Sequence, residues 1–138
     1  MVAFSKRVIS GLGDGSFSVA VADVNADGKK DFVVSNLSND TVSVLLGLGG
    51  GWFGAPKSFN VGSGPYAVAI GDLNKDHMLD LAVVNALDNS VTVLLGDGAG
   101  NFTALANAAA TGRFPLSAGI GDFDGDGKAD LAVTNETD

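Results

Sequence analysis

The chain has 138 residues, a formal charge of −8 and no cysteine. This excludes disulfides and thiol chemistry, and an acidic chain without a basic run argues against nucleic-acid binding and against attraction to anionic lipid. No apolar run approaches the ~20 residues that a membrane-crossing helix needs, so membrane insertion is not expected, and the opening MVAFSKRVIS does not resemble a secretion signal.

In chain order, residues 4–11 read as the last strand of a preceding unit, because Phe4 stands where Phe53 stands one repeat later. Gly13, Gly15 and Phe17 then match Gly62, Gly64 and Tyr66. A second register would make 7–17 a third strand, from the likeness of its glycine-rich turn to 94–98, but it leaves no fourth strand before Val19. An alternating stretch follows at 19–22, then the string DVNADGKKD from Asp23 to Asp31, then the apolar run Phe32-Val33-Val34 and Asn36. A period-2 stretch at 42–46 leads through a glycine-rich turn to Phe53 and a weaker fourth strand. Short β-branched runs, alternation and glycine punctuation are the marks of strands and turns.

The same order returns from 68: Val68-Ala69-Ile70-Gly71, the string DLNKDHMLD from Asp72 to Asp80, Leu81 to Val84, Asn85, the stretch 91–95, and Phe102. It returns again from 118, with DFDGDGKAD from Asp122 to Asp130 and Leu131-Ala132-Val133. The steps between the strings are 49 (23 to 72) and 50 (72 to 122) residues. The apolar run 104–110 is the nearest approach to a helical period, but its register makes it an outer strand. The chain is therefore expected to be all-β, one domain over 1–138, with repeat units near 4–52, 53–101 and 102–138. Each unit is a blade of four antiparallel strands, and the ring is incomplete within one chain, since propellers typically have about 4–8 blades. Small residues in the first strands suit crowding about an axis. Val19, Val21, Val68, Ile70 and Ile120 are expected to pack there or between blades, and Val42, Val44, Leu46, Val91, Val93 and Leu95 to face the neighbouring blade.

The chemistry lies in the three strings. Of the 16 acidic residues 15 are Asp, and ten of these sit in the loops, which marks short-armed ligands rather than a generic acidic surface. Positions 1, 3, 5 and 9 carry side-chain oxygens: Asp23, Asn25, Asp27 and Asp31; Asp72, Asn74, Asp76 and Asp80; Asp122, Asp124, Asp126 and Asp130. Calcium takes 6–8 oxygens, completed by a backbone carbonyl and water. The position-7 residues Lys29, Met78 and Lys128 are expected to supply that carbonyl, giving up to three Ca²⁺. Three dications would bring the charge from −8 to −2, since three times two is six. An EF-hand reading fails, because position 12 is Val34, Val83 or Val133 instead of a bidentate glutamate, and the flanks are strands.

The third loop, with four Asp and Gly127 at position 6, is expected to bind most tightly. The second is expected to be weakest, because His77 replaces the glycine that the turn favours. Elsewhere, a single histidine and no GxSxG elbow leave no nucleophilic triad, and no enzyme activity is expected. Trp52 tips a glycine-rich turn, but its counterpart is Asn101, so any role is not repeated.

Read together, Gly-Asp-Leu-Asn-Lys-Asp at 71–76 and Gly-Asp-Phe-Asp-Gly-Asp-Gly at 121–127, each string followed by Asp-Leu-Ala-Val, resemble the FG-GAP/VCBS repeat family of integrin-α-like propeller blades. The resemblance implies a seven-bladed propeller in which the loop joins the first two strands of each blade and calcium is largely structural. It implies an extracellular or cell-surface adhesion or ligand-binding platform, with a protein or glycan as ligand. The alternatives are an accessory binding propeller of a larger secreted enzyme and a lectin. Fewer than three complete blades call for partners: copies that complete a ring as a homo-oligomer, or the remaining blades of a longer parent.

Overall fold

Alternating branched and small side chains favour extended backbone, and glycine, asparagine and aspartate between them favour turns. The computed structural model describes residues 12, 15–106 and 109–137, and every element among them is a strand. The expected strand at 4–11 lies outside the described residues.

The first sheet takes β1 (Ser16–Ala22), β2 (Asp31–Asn36), β3 (Thr41–Leu45) and β6 (Lys57–Asn60) in the order β1-β2-β3-β6. All its neighbours are antiparallel. Beyond β3, β4 (Gly47–Gly49) and β5 (Trp52–Phe53) form a small hairpin. The second sheet repeats the plan with β7 (Pro65–Gly71), β8 (Asp80–Asn85) and β9 (Ser90–Gly96). Its outer strand is in two pieces, β10 (Phe102–Ala104) and β11 (Ala109–Ala110), both paired to β9. The third sheet pairs β12 (Arg113–Gly121) with β13 (Asp130–Thr137). Each first strand has a register shift at the same place, between Ser16 and Ser18, Pro65 and Ala67, and Pro115 and Ser117. Phe17 thus belongs to a first strand, which fits the 49-residue register rather than the second one.

The sheets stack face to face. Leu81 and Val83 point from β8 toward Val33, Val42 and Val44, while Ala82 and Val84 point the other way, toward Ala118, Ile120, Leu131 and Val133. With both faces covered, all six residues of β8 are buried, which is why its sequence reads as an unbroken apolar run. Close approach needs small residues: a Cβ on Gly71 would come within 3.1 Å of the Ile120 side chain. Asp40 in the turn after β2 accepts a hydrogen bond from the Gly64 N–H (2.8 Å), and Asn89 in the turn after β8 accepts one from Phe114 (2.7 Å), so each sheet is also tied to the next through its backbone.

The inward packing expected of all the first strands holds for Val68, Ile70 and Ile120. Val19 and Val21 depart from it, being 59% and 53% exposed. This face of the first sheet is open along β1 only: Val34, Ser43 and Leu45, which the register places on the same face, are buried, and Ser43 Oγ donates to the Leu12 carbonyl (2.9 Å).

Leu81→Ala, in the contact between the first two sheets, is expected to destabilise the chain by about 2–5 kcal/mol, whereas Val19→Thr should change stability by no more than about 0.5 kcal/mol. Urea unfolding followed by circular dichroism compares them, and equal costs would mean that the stacked interface is not where the core lies.

Candidate metal centre

Each aspartate string forms the connection between the first two strands of its sheet. Its shape is set by carboxylates and amides that accept from the loop's own backbone. Position 1 accepts from the N–H of position 6: Asp23 from Gly28 (2.8 Å), Asp72 from His77 (3.0 Å) and Asp122 from Gly127 (2.9 Å). Position 3 accepts from position 5, and position 5 from position 7, as successive Asx turns. Here the turns run through left-handed backbone. His77 indeed has φ +67°, matching Gly28 and Gly127 at +81° and +78°. Position 4 is left-handed as well, at Ala26, Lys75 and Gly125. Only the glycine of the third loop hints at that in the sequence.

Position 9 has a second task that the sequence reading missed. Asp31 and Asp80 are fully buried. One oxygen of each accepts from the N–H of position 2, Val24 (2.8 Å) and Leu73 (2.9 Å). The other accepts from the residue sixteen places on, Gly47 (2.7 Å) and Gly96 (2.9 Å). The constant spacing was the available signal. Asp130 keeps the first bond, from Phe123 (2.9 Å).

The loops fit a hard cation to different extents. Oxygens that share one calcium at 2.3–2.6 Å lie at most about 5 Å apart. In the third loop, carboxylate oxygens of Asp122, Asp124 and Asp130 lie within 4.8 Å of one another. Asp126 stands outside this trio and pairs with Lys128. No other three carboxylates converge so closely among the described residues, with Asn25 and Asn74 at position 3 of the other loops. In the second loop, Asp72 Oδ1 is buried and has no hydrogen-bond partner, an acceptor suited to a cation. The position-7 residues give their N–H groups to position 5, at Asp27 (2.9 Å), Asp76 (2.8 Å) and Asp126 (2.7 Å).

Charge is also balanced internally. Lys29 Nζ lies 2.9 Å from Asp27 Oδ2, and Lys128 pairs with Asp126 in the same way. In both, the lysine side chain, followed by the lysine backbone N–H, holds the aspartate below its usual 3.8. Position 7 of the second loop is Met78, and Asp76 accepts instead from the Asn74 amide (2.8 Å). His77 is an exposed turn residue whose ring nitrogen stands 3.9 Å from Asp72. Trp52 is 66% exposed at the turn tip, and its counterpart Asn101 binds Asp97 instead.

Asp80→Asn replaces one of two accepting oxygens with a donor that faces an N–H, so a loss of about 1–3 kcal/mol is expected in metal-free buffer, measured by urea unfolding. An unchanged midpoint would show that the clamp contributes nothing. Asp97 gives a pH test. The Asn101 side chain, then the N–H groups of Ala99 and Asn101, lower its pKa below 3.8. A depressed carboxylate stabilises the fold above its unfolded value, and that contribution is lost as pH falls through the folded value. The turn at 97–101 should therefore hold at pH 5 and loosen below about 3.8. An NMR titration that placed Asp97 at or above 3.8 would contradict this.

Neither the comparison with curated proteins nor that with solved structures returns a match. A model of the FG-GAP-like repeat matches residues 23–83 and 79–133. Both segments begin at or just before a position-9 or position-1 aspartate, and between them they take in all three loops and most of the described strands. The chain belongs to the FG-GAP-like repeat family.

Proposed function

We propose that this chain is a calcium-binding β-propeller module, a non-enzymatic scaffold for adhesion or ligand binding that works outside the cytosol. The observation that carries the reading is the convergence of Asp122, Asp124 and Asp130 within 4.8 Å, in a loop whose hydrogen bonds are repeated in two others. Asp23, Asn25, Asp27 and Asp31, with the carbonyl of Lys29, would hold the first ion. Asp72, Asn74, Asp76 and Asp80, with that of Met78, would hold the second. Asp126 and the Lys128 carbonyl would complete the third. When bound, calcium neutralises the clustered carboxylates and fixes the connection between the first two strands. Family membership supports the non-enzymatic reading.

The three sheets are read as successive blades. The exposed Val19 and Val21 lie beside a groove of about 340 Å³ lined by Leu12, Phe17, Val19, Phe32 and Val34, with the Phe17 ring also against Tyr66 of the second sheet (centroids 4.1 Å). In the second sheet the matching face is covered by the first. The open part along β1 would be where a further sheet of the same kind packs, supplied by another copy or by a longer parent chain. The ligand would be a protein or a glycan.

Extracellular modules work at Kd near 10⁻⁴–10⁻³ M. In 10 mM calcium a site in that range adds about 1.4–2.7 kcal/mol to stability. Thermal unfolding is expected to shift upward with calcium and much less with magnesium, and Asp122→Asn with Asp124→Asn should remove the third loop's share. The third loop is expected to give the largest share and the second the smallest. A midpoint indifferent to calcium would end the metal reading, and light scattering would report whether copies associate.

A further inference from the structure

We propose that Lys29 and Lys128 are built-in counter-ions, each neutralising the position-5 carboxylate of its own loop when metal is absent and competing with the dication for it. This rests on the calcium reading above and adds the residues that set the affinity of each loop. Two loops show the arrangement independently: Lys29 Nζ stands 2.9 Å from Asp27 Oδ2, and Lys128 Nζ pairs with Asp126 Oδ2. Both lysines come from position 7, the residue whose N–H already binds the other oxygen of the same carboxylate. Each position-5 aspartate is thus held at both oxygens by one residue.

The second loop is a contrast within the same chain. Position 7 is Met78, no ammonium meets Asp76 among the described ion pairs, and the loop keeps a buried carboxylate oxygen without a partner at Asp72. Its one lysine, Lys75, leans away, with its ammonium 3.6 Å from where a Cβ on Gly127 in the third loop would sit. Formal charges sharpen the comparison. Residues 23–31 carry three Asp and two Lys, a sum of −1; residues 72–80 carry three Asp and one Lys, −2; residues 122–130 carry four Asp and one Lys, −3. The ammonium therefore weakens the first and third loops relative to their carboxylate count, and it compresses the difference that four aspartates and a strained His77 would otherwise produce.

A cation about 5–6 Å from a bound dication in a water-like dielectric, reduced by salt, changes affinity roughly three- to tenfold. Lys29, whose side chain is 44% exposed against 73% for Lys128, should have the larger effect. The test is a calcium titration of the full chain followed by amide NMR, with Gly28, Met78 and Gly127 reporting the three loops. K29M and K128M should each tighten their own loop three- to tenfold and leave the others alone, M78K should weaken the second loop by a like factor, and K29R should behave as wild type. In chelator, K29M should lower the amide order parameters at residues 27–29, because the carboxylate has lost its counter-ion. Unchanged or weaker calcium binding in both K29M and K128M overturns the competition, and unchanged order in chelator overturns the counter-ion role. If the wild-type chain shows no saturable calcium shift at any loop, the metal reading and the competition fall together, and the order parameters in chelator alone decide whether the lysines hold the loops.

Discussion

Two buried carboxylates hold the repeat together. Asp31 and Asp80 have no exposure, so leaving them uncompensated would be costly; each instead receives one N–H from the loop before it and one from the end of the third strand or just beyond it, at Gly96 and Gly47. One side chain thereby joins loop, second strand and third strand at a single point. A backbone amide there cannot be replaced by water, because the site is closed over by the sheet. In the third sheet Asp130 has the loop bond and is only half-buried, which shows that the closure comes from the third strand rather than from the loop.

Once the clamp sets the connection, the stacking follows. The second strand starts at the clamp with its side chains alternating, and in β8 the two alternating sets meet two different sheets. At the other end of the same strands, Asn36 and Asn85 are buried and donate to hydroxyls on the adjoining strand, Thr41 and Ser43 in one case, Ser90 and Thr92 in the other. A polar anchor at each end with apolar contacts between them leaves the sheet one register, since a shift by one residue would expose the core set and bury the wrong one.

Much of this was legible in the sequence because it depends on period and type. Alternation gave the strands, the 49-residue step gave their order, and the position of His77 in its turn gave its positive φ. What could not be read depends on what lies opposite. Val19 and Val68 occupy equivalent places, yet one is exposed and the other packed, because among the described residues only the second has a sheet against its side of the strand. The outer strand 104–110 breaks into two pairings on β9, which its alanines do not announce. The second task of position 9 is masked for a different reason: an aspartate at that place already fits the metal pattern, and the glycine it binds lies sixteen residues on, outside the string. The Asp40 and Asn89 bonds between sheets were hidden in what reads as ordinary turn composition.

The repeats share a backbone but not an interchangeable one. Gly15 and Gly64 are left-handed at the entry to their sheets, where a Cβ would come within 2.3 Å of Ser38 and 2.5 Å of Leu87. Phe114 occupies that place in the third repeat with φ +52°, a conformation costing a non-glycine residue roughly 1–3 kcal/mol, and Asn89 holds it through its N–H. The loops differ in the same way. Their hydrogen-bonded frame is common to all three, so exchanging lysine for methionine at position 7 changes the local charge without changing the frame. A scaffold fixed by backbone bonds lets its side chains diverge, and here that divergence falls on charge: lysine, methionine and lysine at position 7, and asparagine, asparagine and aspartate at position 3.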